Sequence, residues 1–192
     1  MISIGVSNKG GYMTYYGAKE LAESFRTVRK NTIQIAEDIP GDKYGYQAAY
    51  DARSVGQLLT HIALSSDIHY QIHAVERRTT MEGFDFVTYI QRVMAEEQQK
   101  RSKEQIVEML RSNGEKWATW LEGQSEAFLG EMVSMPAMMA TPPKSRFEMI
   151  LSVKEHEMHH RGQLMLLERM LGIVPHLTRE MQARFAAATA KA

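Results

Sequence analysis

The sequence predicts an all-α protein, a four-helix bundle with a short C-terminal helix. Two observations predict it. Every long apolar pattern repeats near 3.6 residues, and no segment alternates with the period of two that a strand requires. Four such segments of roughly 18–27 residues would span about 27–40 Å each, a length that suits a bundle.

The first helix runs from Ala18 to Ala36, with Leu21, Phe25, Val28, Thr32 and Ile35 on one face. Pro40-Gly41-Asp42 stops it, and a Tyr- and Gly-containing loop follows through Tyr50. Ser54 is placed to cap a second helix that reaches about Val75 and carries Val55, Leu58, Leu59, Ile62, Ile68 and Ile72. Arg77 to Gly83 reads as a connection, and Phe84 to Met94 fits neither template cleanly. Ser102-Lys103-Glu104-Gln105 is a capping box for the third helix, which buries Ile106, Met109, Leu110, Trp117 and Leu121, with Gly114 weakening its middle. Leu129 to Pro143, with Met132, Met135, Met138 and Met139, reads as a long loop. Its methionines fill gaps at the bundle's end or, alternatively, form a soft pocket wall. The fourth helix spans Ser145 to Leu171, closed by Gly172 with Pro175 beyond, and Thr178 is the expected cap of the tail helix.

Composition narrows the function classes. At 192 residues, one domain over 1–192 with a core of about 18–175 is the expectation. Lys+Arg and Asp+Glu are both 23, so the formal charge is zero and nothing draws the chain in bulk to nucleic acid. No apolar run approaches the roughly 20 residues of a membrane helix. The first residues, Met1 to Gly11, lack a signal-peptide pattern, and Asn8-Lys9-Gly10-Gly11 reads as a flexible lead-in. Cysteine is absent, which removes disulfides, thiolate ligands and cysteine nucleophiles and fits the cytoplasm.

The chemistry lies in the histidines. His69/His73 and His156/His160 are each four apart, so either pair presents two imidazoles on one helix face. The stripe through His156 and His160 continues as Met149, Val153, Leu164 and Leu167 and therefore faces the core. His61, between Leu58 and Leu64, also faces inward. His69 and His73 are flanked by Ser65, Ser66, Glu76 and Arg77, which predicts a solvated face. A lone inward histidine is usually a hydrogen-bonded core residue, but three on two helices all need polar partners. One divalent ion satisfies them together and keeps open positions; zinc, nickel, iron and copper all suit such a set. A rival is the zinc-peptidase pattern H-E-x-x-H in His156-Glu157-Met158-His159-His160, with Glu157 as base and Glu180 as third ligand. Against it stand the lack of upstream strands and the short remainder of the chain.

Two longer stretches carry a family likeness. His156-Glu157-Met158-His159-His160-Arg161-Gly162-Gln163-Leu164 with Leu171-Gly172 resembles the C-terminal helix signature of DinB-like proteins. Ile39-Pro40 and Arg53-Ser54-Val55-Gly56-Gln57-Leu58-Leu59-Thr60-His61-Ile62 resemble the family's loop and second helix. The resemblance covers roughly Ala18 to Pro175. It implies a bundle with a three-histidine metal site at one end, its ligands falling on His61, His156 and His160. One divalent ion is expected, and the residues do not choose among zinc, nickel and iron. Related branches are S-transferases that use low-molecular-weight thiols such as bacillithiol or mycothiol, and a thiol-dependent maleylpyruvate isomerase. The resemblance thus implies a thiol and a small electrophile as partners, and a homodimer. A metal-binding or stress-response protein without turnover is the alternative of another class.

Four neighbours of the ligands complete the expectations. Gln163 either orients a ligand and lines the pocket or simply packs. Arg161 is expected to pair with a carboxylate, and Gly162 to admit another helix closely. Glu157, about 100° around the axis from His156, is expected on a solvent or interhelix face.

Overall fold

The computed structural model describes residues 16–190, so the lead-in read at Asn8 to Gly11 lies outside it. In chain order the helices are α1 (Ala18–Asp38), α2 (Val55–Tyr70), α3 (Phe86–Glu97), α4 (Lys103–Glu122), α5 (Glu126–Gly130), α6 (Arg146–Met170) and α7 (His176–Thr189). Serine caps set several starts: Ser54, Ser102 and Ser145 each accept a backbone N–H from the third helical residue. At Ser54 and Ser102, Gln57 and Gln105 reach back to the cap N–H and close the box.

The four long helices form the bundle. Both α1 and α2 pack against α4 and α6, so α1 and α2 sit on one diagonal and α4 and α6 on the other. Lys103 at the start of α4 donates to the Glu37 and Ile39 carbonyls at the end of α1, which makes α1 and α4 antiparallel. Val55 at the start of α2 shares a cluster with Ile35 and Ile106, so α2 starts at that same end and runs with α4. The chain must therefore return along the bundle between α2 and α4. Helix α3, the segment the periodicity left ambiguous, is that return leg.

Two apolar clusters fill the bundle interior, one around Ile35, Leu59, Ile62, Leu110 and Leu164, the other around Phe25, Trp117, Leu121, Phe128 and Ile150, and a third, smaller one gathers Ile72, Met81, Val133 and Met149. A polar clasp joins the first two. The buried Arg29 of α1 donates Nε and Nη2 to Glu157 of α6 at 2.9 and 3.0 Å. Its Nη1 donates to the Leu110 carbonyl of α4 at 2.7 Å, and Nη2 to the Ile62 carbonyl of α2 at 3.2 Å. One side chain thus ties all four long helices. Gly114 has its explanation here: a Cβ on it would stand 2.9 Å from Arg29 Cγ and Nη1. Of the two faces open to Glu157, it occupies the interhelix one, fully buried.

Several expectations are corrected. Helix α2 does not run on regularly to Val75; Gln71–Val75 is a π-helical turn. The Leu129–Pro143 loop begins in α5 and contains strand β1 (Met132–Val133), which pairs antiparallel with β2 (Lys144–Ser145). Of its four methionines only Met135 packs against a core cluster, while Met132, Met138 and Met139 are exposed. The tail helix starts at His176 behind Pro175, so Thr178 lies in its first turn instead of capping it. Among the described residues nothing approaches Gly162, which is exposed, so no close helix crossing within them explains it. Arg161 Nε is buried without a hydrogen-bond partner, and among the described residues no carboxylate pairs with this side chain. No helix among the described residues is long and apolar enough to cross a membrane.

Near the end of α6, Glu168 is fully buried and neither carboxylate oxygen has a partner. Burial, then the Asp38 carboxylate, pushes it up to about 7 from an ordinary 4.5, against the opposing pull of Arg179 and Arg169. Between those values the folded chain holds a proton that the unfolded chain releases, so this group costs stability as the pH rises from 4.5 through 7. Glu168→Gln should match the wild type in urea at pH 5 and exceed it at pH 8 by on the order of 2 kcal/mol. An unchanged difference between the two pH values would mean that Glu168 does not titrate in that window.

Candidate metal centre

The capping box at Ser54 fixes the start of α2, so His61 falls on the face that also carries Leu58 and Ile62. On α6, His156 and His160 follow Val153 and precede Leu164 on the inward side. Helix α2 packs on α6, and the three imidazoles meet midway along the two helices, not at a bundle end. His61 Nε2 is 3.2 Å from His156 Nε2, which is 3.1 Å from His160 Nε2. One ligand atom from each lies within 4.8 Å of the others.

The far side of each outer ring decides what those nitrogens offer. His61 Nδ1 is 2.7 Å from Oε1 of Glu97, whose other oxygen accepts from Arg53 Nε at 2.7 Å. A carboxylate held by a guanidinium only accepts, so His61 carries its hydrogen on Nδ1 and leaves Nε2 bare. His160 Nδ1 donates to Gln163 Oε1 at 2.8 Å, and Gln163 Nε2 donates to His159 Nε2 at 3.3 Å. Nε2 of His160 is therefore bare as well. Two lone pairs point at His156 Nε2, which has at most one hydrogen to give. The arrangement lacks a positive centre, and a cation supplies one. In a tetrahedral zinc site with bonds of about 2.0–2.1 Å, donor nitrogens stand about 3.3 Å apart; the two contacts of His156 match that spacing, and the third pair lies within 4.8 Å.

Burial keeps the rings neutral. It pushes His156 down to about 4, helped by the neighbouring His160 and His61 imidazoles. It also lowers His61 and His160, although Glu97 and Gln163 respectively oppose the shift. Neutral imidazole is the form that ligates a metal.

The second histidine pair is not where its flanks predict. His73 is fully buried, and His69 has its Nδ1 buried without a partner and its ring against Trp117. Serine misled the reading. Ser65 spends its hydroxyl on the Ile62 carbonyl of its own helix at 2.9 Å, and Ser66 is buried too, so neither marks a wet face. His73 Nδ1 instead accepts from the buried Arg146 at 3.0 Å.

Glu97 and Arg53 are the partners that the sequence reading missed. Within Glu96-Glu97-Gln98-Gln99, Glu97 looks solvated, yet it continues the stripe Ile90, Val93, Met94 at steps of three or four. An acid on an apolar stripe was the available signal. Glu180, the third ligand of the peptidase pattern, is exposed on α7. Glu157 commits both oxygens to Arg29.

Comparison with known proteins identifies the family and the fold. The family model described as the DinB family matches residues 8–190. Among solved structures, the chain is similar to YjoA, a DinB-like protein from Bacillus subtilis. The two are 21% identical with a TM-score of 0.59, over 80% of this chain and 92% of that one. At such identity the likeness carries the fold alone. No curated protein matches the chain.

Proposed function

The chain belongs to the DinB family, and from that premise we propose that His61, His156 and His160 hold one divalent metal ion, zinc, nickel or iron, in an enzyme that joins a low-molecular-weight thiol to a small electrophile. The observation that carries the reading is the convergence of three neutral Nε2 atoms whose outer rings are turned by Glu97 and Gln163. A divalent ion held there acts as a Lewis acid and lowers the pKa of a thiol brought to it. The chain's own residues do the rest. Glu97 and Gln163 fix the tautomers and ring planes of His61 and His160, and Arg53 keeps Glu97 in place. A chain without cysteine draws its thiol from the cosubstrate. The homodimer that the family implies finds support in the exposed stripe Met158, Leu166 and Met170 on α6, beside the open Gly162.

Elemental analysis of the purified protein should give about one divalent metal per chain. Exchange for Co²⁺ should then yield a visible spectrum that gains a sulfur-to-cobalt band with 2-mercaptoethanol, and thiol-dependent consumption of monobromobimane should exceed the buffer rate. Metal without any thiol response would leave the non-catalytic metal-binding alternative. Absence of metal in protein grown with zinc, nickel and iron would overturn both.

A further inference from the structure

A cavity of about 310 Å³ lies between α2 and α3 and opens onto His61 and His156. We propose that it receives the apolar, uncharged body of a small substrate, a short hydrocarbon chain or ring whose polar end reaches the three histidines. For the position of that polar end, the proposal rests on the metal-site reading above.

Helix α3 does not pack on α2 as an ordinary amphipathic helix would. Its one buried residue is Glu97, held by His61 and Arg53, while Ile90 and Met94 remain 52% and 56% exposed. Fastened at its acid, α3 leaves the space between Leu64 and Ile68 of α2 and its own Ile90, Val93 and Met94 unfilled. Apolar side chains that do not meet across the cleft forgo dispersion contacts, so an apolar guest between them gains those contacts and buries their exposed surface.

The charged groups on the lining already pair with each other, which leaves no lone charge for an ionic guest. Arg53 and Glu97 hold each other at 2.7 Å, and Ser65 donates to its own helix. Tyr89, also on the lining, keeps its hydroxyl buried and without a hydrogen-bond partner. At about 30 Å³ per water-sized group, the volume admits roughly ten such groups.

The test is an NMR titration of the purified protein with n-alkanols of two to eight carbons. The dissociation constant should fall about three- to fourfold per methylene and level off once the chain outgrows the cavity. Ile90→Asp and Met94→Asp, at exposed positions, should keep the helical circular dichroism and flatten the gradient. Alkanols carry no thiol, so the two readings separate. A gradient in protein that holds no metal keeps the cavity and removes the metal reading. A sulfur-to-cobalt band with 2-mercaptoethanol but no alkanol gradient does the reverse. A gradient of full slope in both aspartate variants places the binding elsewhere and overturns the proposal.

Discussion

Glu157→Leu and Arg29→Met, made singly, are each expected to destabilise the fold by about 3–5 kcal/mol, and the double variant to recover most of that loss. The pair lies in the bundle interior, with side chains 0% and 4% exposed. Removing the acid strands a guanidinium among Phe25, Ile62 and Leu110; removing the arginine strands a carboxylate. Removing both leaves apolar side chains of similar volume in an apolar layer, while the Leu110 and Ile62 carbonyls keep their helical partners. Urea midpoints of the four proteins give the coupling directly. Additive losses would show that the clasp is not a unit. Glu157 is also the residue a peptidase reading would make the base, so its substitution needs a folded reference. A loss of activity in Glu157→Gln that follows the unfolding midpoint reports the clasp, not a proton relay.

What the sequence made legible follows from what periodicity measures. A 3.6-residue stripe names the face a helix buries, and His61, His156 and His160 lie on such faces beside Leu58, Val153 and Leu164. The N-cap at Ser54 and the capping box at Ser102 locate their helix starts because the donors they satisfy are local. Periodicity does not show which polar side chains find partners across the core. Arg29 and Glu157 are 128 positions apart, and each alone resembles a surface charge. Gly114 was the visible trace of that contact, a residue unfavourable in a helix interior that makes sense only once Arg29 is beside it. Glu97 was hidden for a related reason, since the helix that carries it buries only that residue and has no apolar face turned fully inward. The His69/His73 face is not legible because its two serines report nothing about water: Ser65 bonds a carbonyl of its own helix, and Ser66 is buried.

His61→Ala, His156→Ala and His160→Ala are each expected to lose the metal, while His69→Ala and His73→Ala retain it. The two pairs share one spacing, so spacing cannot separate them; the direction of their lone pairs does. His73 Nδ1 accepts from Arg146, a cation, and this puts the ring hydrogen on Nε2, which is buried without a partner. That imidazole has no lone pair left for an ion, and the guanidinium beside it would repel one. Burial and the nearby His69 and Arg146 also push His73 down to about 3, in keeping with a structural ring. His61 and His160 have the opposite polarity, with Nδ1 donating outward to Glu97 and Gln163 and Nε2 turned to the centre. His73→Ala should therefore cost about 1–3 kcal/mol of stability through the orphaned Arg146 donor and leave metal affinity unchanged. Glu97→Gln and Gln163→Ala fall between these extremes: they keep all three imidazoles, loosen their orientation, and should weaken binding by about 10–100-fold. Competition of zinc against a chromophoric chelator ranks all seven variants on one scale. Wild-type affinity in any of the first three would remove that histidine from the site, and loss of metal from a folded His73→Ala protein would move the centre to the other pair.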